Sequence, residues 1–496
     1  MSFRFDHRAP LLVLAALACV SALPASAWAS ASASAGSASA SVALAASASG
    51  ASAASSYPAG ATRPLHRATG SELARASTSA PTGGSTAPGS GGSSTPTTTT
   101  PASAPAAKHQ TPAKLCPSPK AHTSKPSPAK CRPKPKPVLH GDPARALVAF
   151  EAMQHNYYIP GSGLYEGEPF SYLWPFSQAL AATVTLQNMT GIAAIPGLQS
   201  TLARELNARL TGLKSYLDLD NSAAPEGSFT STLAAYDGTV APPAGPGGAK
   251  YYDDNEWVGI ELMRVYQMTH APGLLGAAEG IMAFVMDGWS TNPNWACPGG
   301  VPFSNLPENG ERNAVTDGPG AELALQLYAA TDNVGYLQFA EKAYEWVRHC
   351  LYEANGLYAD HIGDHGVVNE NYWSYNQGAM IGAGVMLYEA THNGAYLWQA
   401  RQTAKYALAY YTPQRLGEEN PFFVSVYFRN MLYLDSVTHD PPGDKLAQPY
   451  VDYAWQHLRL ADNLFIYGSP PTGDLLTQAA IVQIYGLLSS PPSTYF

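Results

Sequence analysis

A repeat of sixty residues constrains the fold of this chain more than any other feature. Leu327-Tyr328-Ala329-Ala330-Thr331-Asp332-Asn333 leads to Tyr336-Leu337, and sixty residues on Leu387-Tyr388-Glu389-Ala390-Thr391-His392-Asn393 leads to Tyr396-Leu397. A weaker copy, Val265-Tyr266-Gln267-Met268-Thr269, ends at Leu274-Leu275, and a fainter one starts at Leu186. Similarity at a fixed period marks stacked supersecondary units, none of which buries its apolar face alone. Each unit reads as a helical hairpin. Tyr336, Phe339, Ala343, Trp346, Val347 and Cys350 fall on one helix face, and Leu397, Ala400, Ala404, Ala407, Leu408 and Tyr411 repeat that spacing. The Asn/Gly-containing turn between Thr391 and Tyr396 suits a helix stop and restart. No hairpin-strand signal stands out.

A body of residues 141–496 accommodates six such hairpins, with outgoing helices expected near 143–157, 198–215, 272–286, 333–351, 393–412 and 472–489. An open solenoid usually carries capping repeats and more uniform units. Long, aromatic and Gly-rich connections suit a closed ring whose loops feed a central cleft. The expected fold is therefore all-α, an (α/α)6 barrel. Twelve residues before the Leu-Tyr landmark stand Asp253 in one unit, Tyr375 in another and Trp174 in the faintest. Equivalent positions in a ring share one rim, so Trp174, the Asp253-Asp254 pair and residues 373–377 are expected to converge there.

What precedes the body is different in kind. A basic start, an apolar run from about Ala9 to Leu23 and Ala-x-Ala steps near Ala27 read residues 1–29 as a secretory signal peptide. The run is too short for a membrane span, which needs about 20 apolar residues. Residues 30–140 are rich in Ala, Ser, Thr, Pro and Gly, then in Lys-Pro, a composition too poor in apolar side chains to offset its ordering entropy. Residues 1–140 carry 13 basic and 2 acidic side chains. Of the chain's 28 basic and 37 acidic residues, 15 and 35 remain for the body. A basic tether on an acidic body suits an anionic cell wall, or serves only as a solubilising spacer, and it offers nucleic acid nothing on the body itself. Secreted or wall-associated placement permits disulfides, of which Cys116–Cys131 and Cys297–Cys350 are the simplest pairing.

The chemistry is most legible at Tyr252-Asp253-Asp254-Asn255-Glu256-Trp257. Two adjacent carboxylates open an amphipathic helix, bracketed by the aromatic rings of Tyr252 and Trp257. That combination suits acid/base or nucleophilic chemistry beside rings that stack on a sugar. Acidic residues also favour a helix's first turn for its free N–H groups alone. Adjacent short carboxylates stand about 5–7 Å apart, nearer the gap of retaining than of inverting glycosidases. Like charge then raises one pKa, which suits a proton donor. His361, Asp364 and His365 lack a third ligand set, so no metal or other cofactor is expected. A terpene-synthase-like metal motif fails because Trp257 occupies the position where a further acid is needed.

These residues, with the later Trp373-Ser374-Tyr375-Asn376-Gln377-Gly378, resemble the endo-α-1,6-mannanases of glycoside hydrolase family 76, from about Trp174 to Leu434. The resemblance implies an (α/α)6 barrel, Asp253 as nucleophile and Asp254 as general acid/base. Hydrolysis of a mannosyl-enzyme ester would then retain configuration in an α-mannan substrate. It assigns substrate contacts to Asn313 and to Asp360 after Gly356-Leu357, and keeps an arginine at Arg429, which suits either substrate binding or a structural ion pair with the body's acids. Trp174, Tyr252, Trp257, Trp373, Tyr375, Asn376 and Gln377 join them as the aromatic and amide lining. Two stretches depart from the family. The segment Cys297-Pro298-Gly299-Gly300-Val301 lacks the tryptophans usual just after it, and Val424-Ser425-Val426-Tyr427-Phe428-Arg429 lacks a lysine common there. The alternatives are another (α/α)6 glycosidase or lyase, or a glycan-binding envelope protein that keeps an aromatic cleft without catalysis.

Overall fold

The computed structural model describes residues 137–219, 233–307, 310–440, 442–468 and 473–496. The expected signal peptide, most of the expected linker and the Cys116–Cys131 pairing lie outside the described residues. Six helices form an inner ring: α2 (Leu173–Asn188), α4 (Tyr252–Thr269), α6 (Ala314–Thr331), α8 (Ser374–Thr391), α11 (Pro421–Thr438) and α13 (Leu475–Leu487). Each touches the next in that order, and α13 closes the ring on α2. Outside them pack α3 (Leu198–Leu213), α5 (Pro272–Asp287), α7 (Val334–Leu351), α9 (Gly394–Tyr410) and α12 (Pro442–Tyr453), with the short α10 (Pro413–Glu418) beside α12. The sixth outer helix is α1 (Asp142–Tyr157), which pairs with α13, so the first and last helices of the body complete one hairpin. This is an (α/α)6 barrel.

The burial pattern follows from position in the two rings. Inner helices are flanked on every side, so α8 is buried continuously from Asn376 to Leu387 and α13 along its whole length. Outer helices bury one stripe; α7 buries Phe339, Ala343, Tyr344, Trp346, Val347 and Leu351. Where inner helices approach most closely, side chains shrink. A Cβ on Gly378 of α8 would stand 2.7 Å from the Cα of Tyr427 on α11, so only glycine admits that approach.

The sixty-residue repeat is the turn at the back of the barrel. Thr269, Thr331, Thr391 and Thr438 end their inner helices, each hydroxyl donating to the carbonyl four residues back. The next residue, His270, Asp332, His392 or His439, takes a left-handed conformation and stops the helix. Asn333 and Asn393 then cap the outer helices through Gly335 and Ala395 N–H.

Two sequence expectations change. The stretch near 472–489 is an inner helix, because the hairpin register inverts where the chain closes on its own start. Small strands also exist: β1 (Leu217–Asp218) pairs with β2 (Ala235–Tyr236), and β3 (Arg312–Asn313), β4 (His361–Ile362) and β5 (Val368–Asn369) form a second antiparallel sheet. Two-residue strands are too short to carry an alternating pattern. The Cys297–Cys350 disulfide joins the connection before β3 to the last turn of α7, with Cα atoms 6.0 Å apart.

Candidate active site

All six inner helices begin at the front rim, and hydrogen bonds stitch that rim to the loops around it. The fourth residue of an inner helix holds the loop leading into that helix. Asn255 bonds both the N–H and C=O of Tyr236; Gln377 does the same to Tyr358; Asp317 accepts from Val301 N–H; Gln478 accepts from Phe465 N–H. Two residues further along three of these loops, a carbonyl accepts the first N–H of the preceding inner helix. Leu173 N–H donates to Gly238 at 2.9 Å, Tyr252 to Phe303 at 3.2 Å and Ala314 to Asp360 at 2.9 Å. Helix N-termini and loop backbones thus satisfy one another, which fixes the loops without a sheet.

Asp253 and Asp254 stand in the first turn of α4, 8% and 5% exposed. Burial pushes the Asp253 carboxyl above its ordinary range, and the charges of Glu311 and Asp360 add to that. The N–H groups of Asp253 and Asp254 oppose it by bonding its carboxylate. Asp254 is pushed well above the ordinary range by burial and then by Asp253, with no opposing bond. The two neighbours differ in what solvates them.

Around the pair sits a polar cluster from three elements. Asp360 accepts from Asn376 Nδ2 at 3.1 Å and lies 3.1 Å from His361 Nδ1, which is 3.5 Å from Glu311. Asn313 Nδ2 donates to Glu311 at 3.0 Å, and strand pairing sets Asn313 opposite His361. Burial works to lower the His361 pKa, but the Asp360 bond and the two carboxylate charges outweigh it, so it ends raised. The remaining wall is aromatic. The Tyr375 ring stacks on Phe423 at 4.2 Å; Trp373 lies 5.4 Å from Phe423; Trp174 and Trp257 meet Phe422 edge-on at 4.9 and 5.6 Å.

The structure brings together Asp253, Asp254, Trp174, Trp257, Asn313, Asp360, Trp373, Tyr375 and Asn376. Three residues stand apart from that surface. Tyr252 is fully buried, its ring stacked on Phe284 at 4.4 Å between the two helix rings. Gln377 spends its amide on Tyr358 and on the Trp373 carbonyl, so it positions the segment that leads to Asp360. Arg429 lies two turns down α11, paired with Glu261 at 3.0 Å and bonded to Gln483, while Arg264 holds the other oxygen of Glu261. It belongs to an interior ion network.

Sequence reasoning missed Phe422, Phe423 and Glu311. Phe422 stands sixteen residues before Thr438, as Asp253 does before Thr269 and Tyr375 before Thr391. The signal existed, but Leu434-Asp435 replaces the Leu-Tyr landmark. Deeper in the ring, Glu256 has both carboxylate oxygens buried without a hydrogen-bond partner, one of them pressed on Gly320. Burial pushes its pKa well up, and Asp253, Asp317 and Glu322 push it further.

An acidic cleft beside aromatic rings suits a neutral polyhydroxylated ligand and disfavours an anionic one. Residues 144–426 match the family model described as glycosyl hydrolase family 76. Mannan endo-1,6-alpha-mannosidase DCW1 of Saccharomyces cerevisiae is 27% identical over 165 residues, 30% of this chain and 35% of that protein. The chain matches about a third of that relative's length. A glycoside hydrolase family 76 mannosidase from Bacteroides thetaiotaomicron has the same fold, with TM-score 0.61 at 21% identity over 70% of this chain and 98% of that one. An inactive variant of an α-1,6-mannanase from a Salegentibacter species, in complex with α-1,6-mannotriose, gives 0.55 at 20% identity over 70% and 99%. With more than half its length matched, this chain belongs to glycosyl hydrolase family 76.

Proposed function

We propose that the protein is an exported endo-acting hydrolase of α-1,6-linked mannan that retains anomeric configuration. The observation carrying this reading is the unequal environment of two adjacent carboxyls at one mouth of the barrel. Burial raises the proton affinity of both, the open first turn of α4 opposes this at Asp253, and the Asp253 charge adds to it at Asp254, so Asp254 keeps its proton more readily. In the first step an Asp253 oxygen attacks the anomeric carbon, the glycosidic C–O bond breaks, and the Asp254 proton passes to the leaving oxygen. In the second, Asp254 takes a proton from water, whose oxygen displaces Asp253 from the same carbon. Asp360, Asn313 and the aromatic wall hold the sugar ring, and the buried Asn376 fixes Asp360 from behind.

The named activity of the yeast relative supports the linkage. So does the Salegentibacter enzyme, whose inactive variant carries two adjacent aspartate replacements and binds α-1,6-mannotriose. Export is supported by the signal-like residues 1–29 and by a disulfide in the body. The basic segment before residue 140 would hold the acidic body at an anionic wall. Incubation with linear α-1,6-mannan, with the product anomer followed by NMR, tests the reading. An α-anomer formed first is expected; first-formed β-anomer overturns retention, and inactivity overturns the hydrolase assignment.

A further inference from the structure

Beside the cleft, the front rim carries a second concavity of about 530 Å³. It lies between the 158–172 connection, the 239–246 segment and the start of α13. Phe170, Tyr172, Val240 and Leu475 give it apolar walls, and Glu166, Glu168 and Asp474 stand among them. No Lys, Arg or His lines it. Its volume falls within the range of small-molecule sites, about 300–1,000 Å³. Tyr172 is 63% exposed.

A short series of contacts links this concavity to the turn that carries Asp253 and Asp254. Leu173 N–H, next to Tyr172, bonds the carbonyl of Gly238, where the 239–246 wall begins. Gly238 packs flat on the Tyr251 ring; a Cβ there would stand 2.9 Å from Tyr251 Cε2. Tyr251 precedes the catalytic turn and feels the charges of Asp254 and Asp253 as well as the Tyr172 hydroxyl.

We propose that this concavity is a distal subsite for a neutral hexose unit of the polymer, with Tyr172 as its stacking platform. The proposal rests on the hydrolase reading above. A pyranose presents C–H faces to a tyrosine ring and hydroxyl donors to its edges, where carboxylates accept them strongly. The same carboxylates, with no cation beside them, reject a phosphorylated or otherwise anionic unit.

Steady-state kcat/KM of the full chain on α-1,6-linked mannotriose, mannohexaose and linear mannan tests it. Tyr172→Ala is expected to lower the hexaose-to-triose ratio of kcat/KM at least tenfold, and Tyr172→Phe, which keeps the platform, to hold that ratio within about threefold. An equal loss on triose and hexaose, or no loss on either, overturns the subsite while leaving the hydrolase reading intact. A parent inactive on all three substrates overturns both.

Discussion

The two rims of the barrel are built from the same helices but by opposite means. At the back, α4, α6 and α8 pass to their outer partners through two residues each, 270–271, 332–333 and 392–393. These turns are local, held by a threonine hydroxyl, one left-handed residue and an asparagine cap. At the front, the longer connections that lead into α4, α6 and α8 are held by two amides and one carboxylate reaching back 16 to 19 residues. Charge follows the same division. Asp253, Asp254, Glu256 and Asp317 lie in the first turns of α4 and α6 near the front, buried with raised proton affinities. Stability is cheap where a turn satisfies itself. The front rim instead spends stability on holding acids out of water.

The sharpest way to break this contrast is at the acid pair. Asp253→Asn and Asp254→Asn are each expected to lower kcat on α-1,6-mannan by about 10²–10⁴-fold or more, with circular dichroism and melting temperature preserved. Normal turnover by either variant would remove the residue from the mechanism.

Arg429→Ala should act on stability. It removes one of the two arginines that hold Glu261 in the interior and leaves Arg264 on the other oxygen, so the loss should stay below the roughly 3–5 kcal/mol of a buried pair broken outright. Denaturant unfolding reads this directly. A variant of parental stability with a raised KM would return Arg429 to the substrate surface. Gln377→Leu is intermediate, because it leaves the Tyr358 N–H and C=O unsatisfied at about 1–3 kcal/mol and loosens the segment bearing Asp360. Both stability and kcat should fall, and a change in only one of them argues against the clamp.

Glu256→Gln probes the stability held back by burying acids. The folded state raises the Glu256 pKa, so it binds the proton more tightly than the unfolded chain does. Its favourable contribution is complete below the unfolded pKa and is lost as pH rises through the folded one. The variant's melting temperature should therefore gain on the parent's between pH 4 and pH 8. A constant difference across that range would show that Glu256 does not titrate with folding. Smallest of all, Asn333→Ala and Asn393→Ala should each cost about 1 kcal/mol of cap stability and leave kcat within about twofold. A large kinetic effect from either would mean that the back rim is coupled to the site.

The legibility of the sequence followed the same line. Tyr336–Leu337 and Tyr396–Leu397 announced the hairpins because back-rim turns are local, so every copy needs the same few residues in the same order. Counting from that landmark brought Asp253, Tyr375 and Trp174 to one rim, since helices of equal length carry register from one end to the other. It could not say which way a side chain turns once there. Tyr252 points between the rings toward Phe284, whereas Asp253, one residue on, stands at the mouth. For Gln377 and Arg429 the sequence left sugar contact and structural bonding both open, and their partners Tyr358 and Glu261, 19 and 168 residues away, decide for the second.

Period, helix faces and the adjacent Asp253-Asp254 pair were therefore set by the sequence alone, because they depend on neighbours within a few turns. The division of polar residues into those facing substrate and those holding the rim was decided only by closure of the ring. Closure brings a loop carbonyl to a helix N-terminus and a carboxylate to a distant arginine, and hydrogen bonds and charge neutralisation depend on those distances rather than on order along the chain.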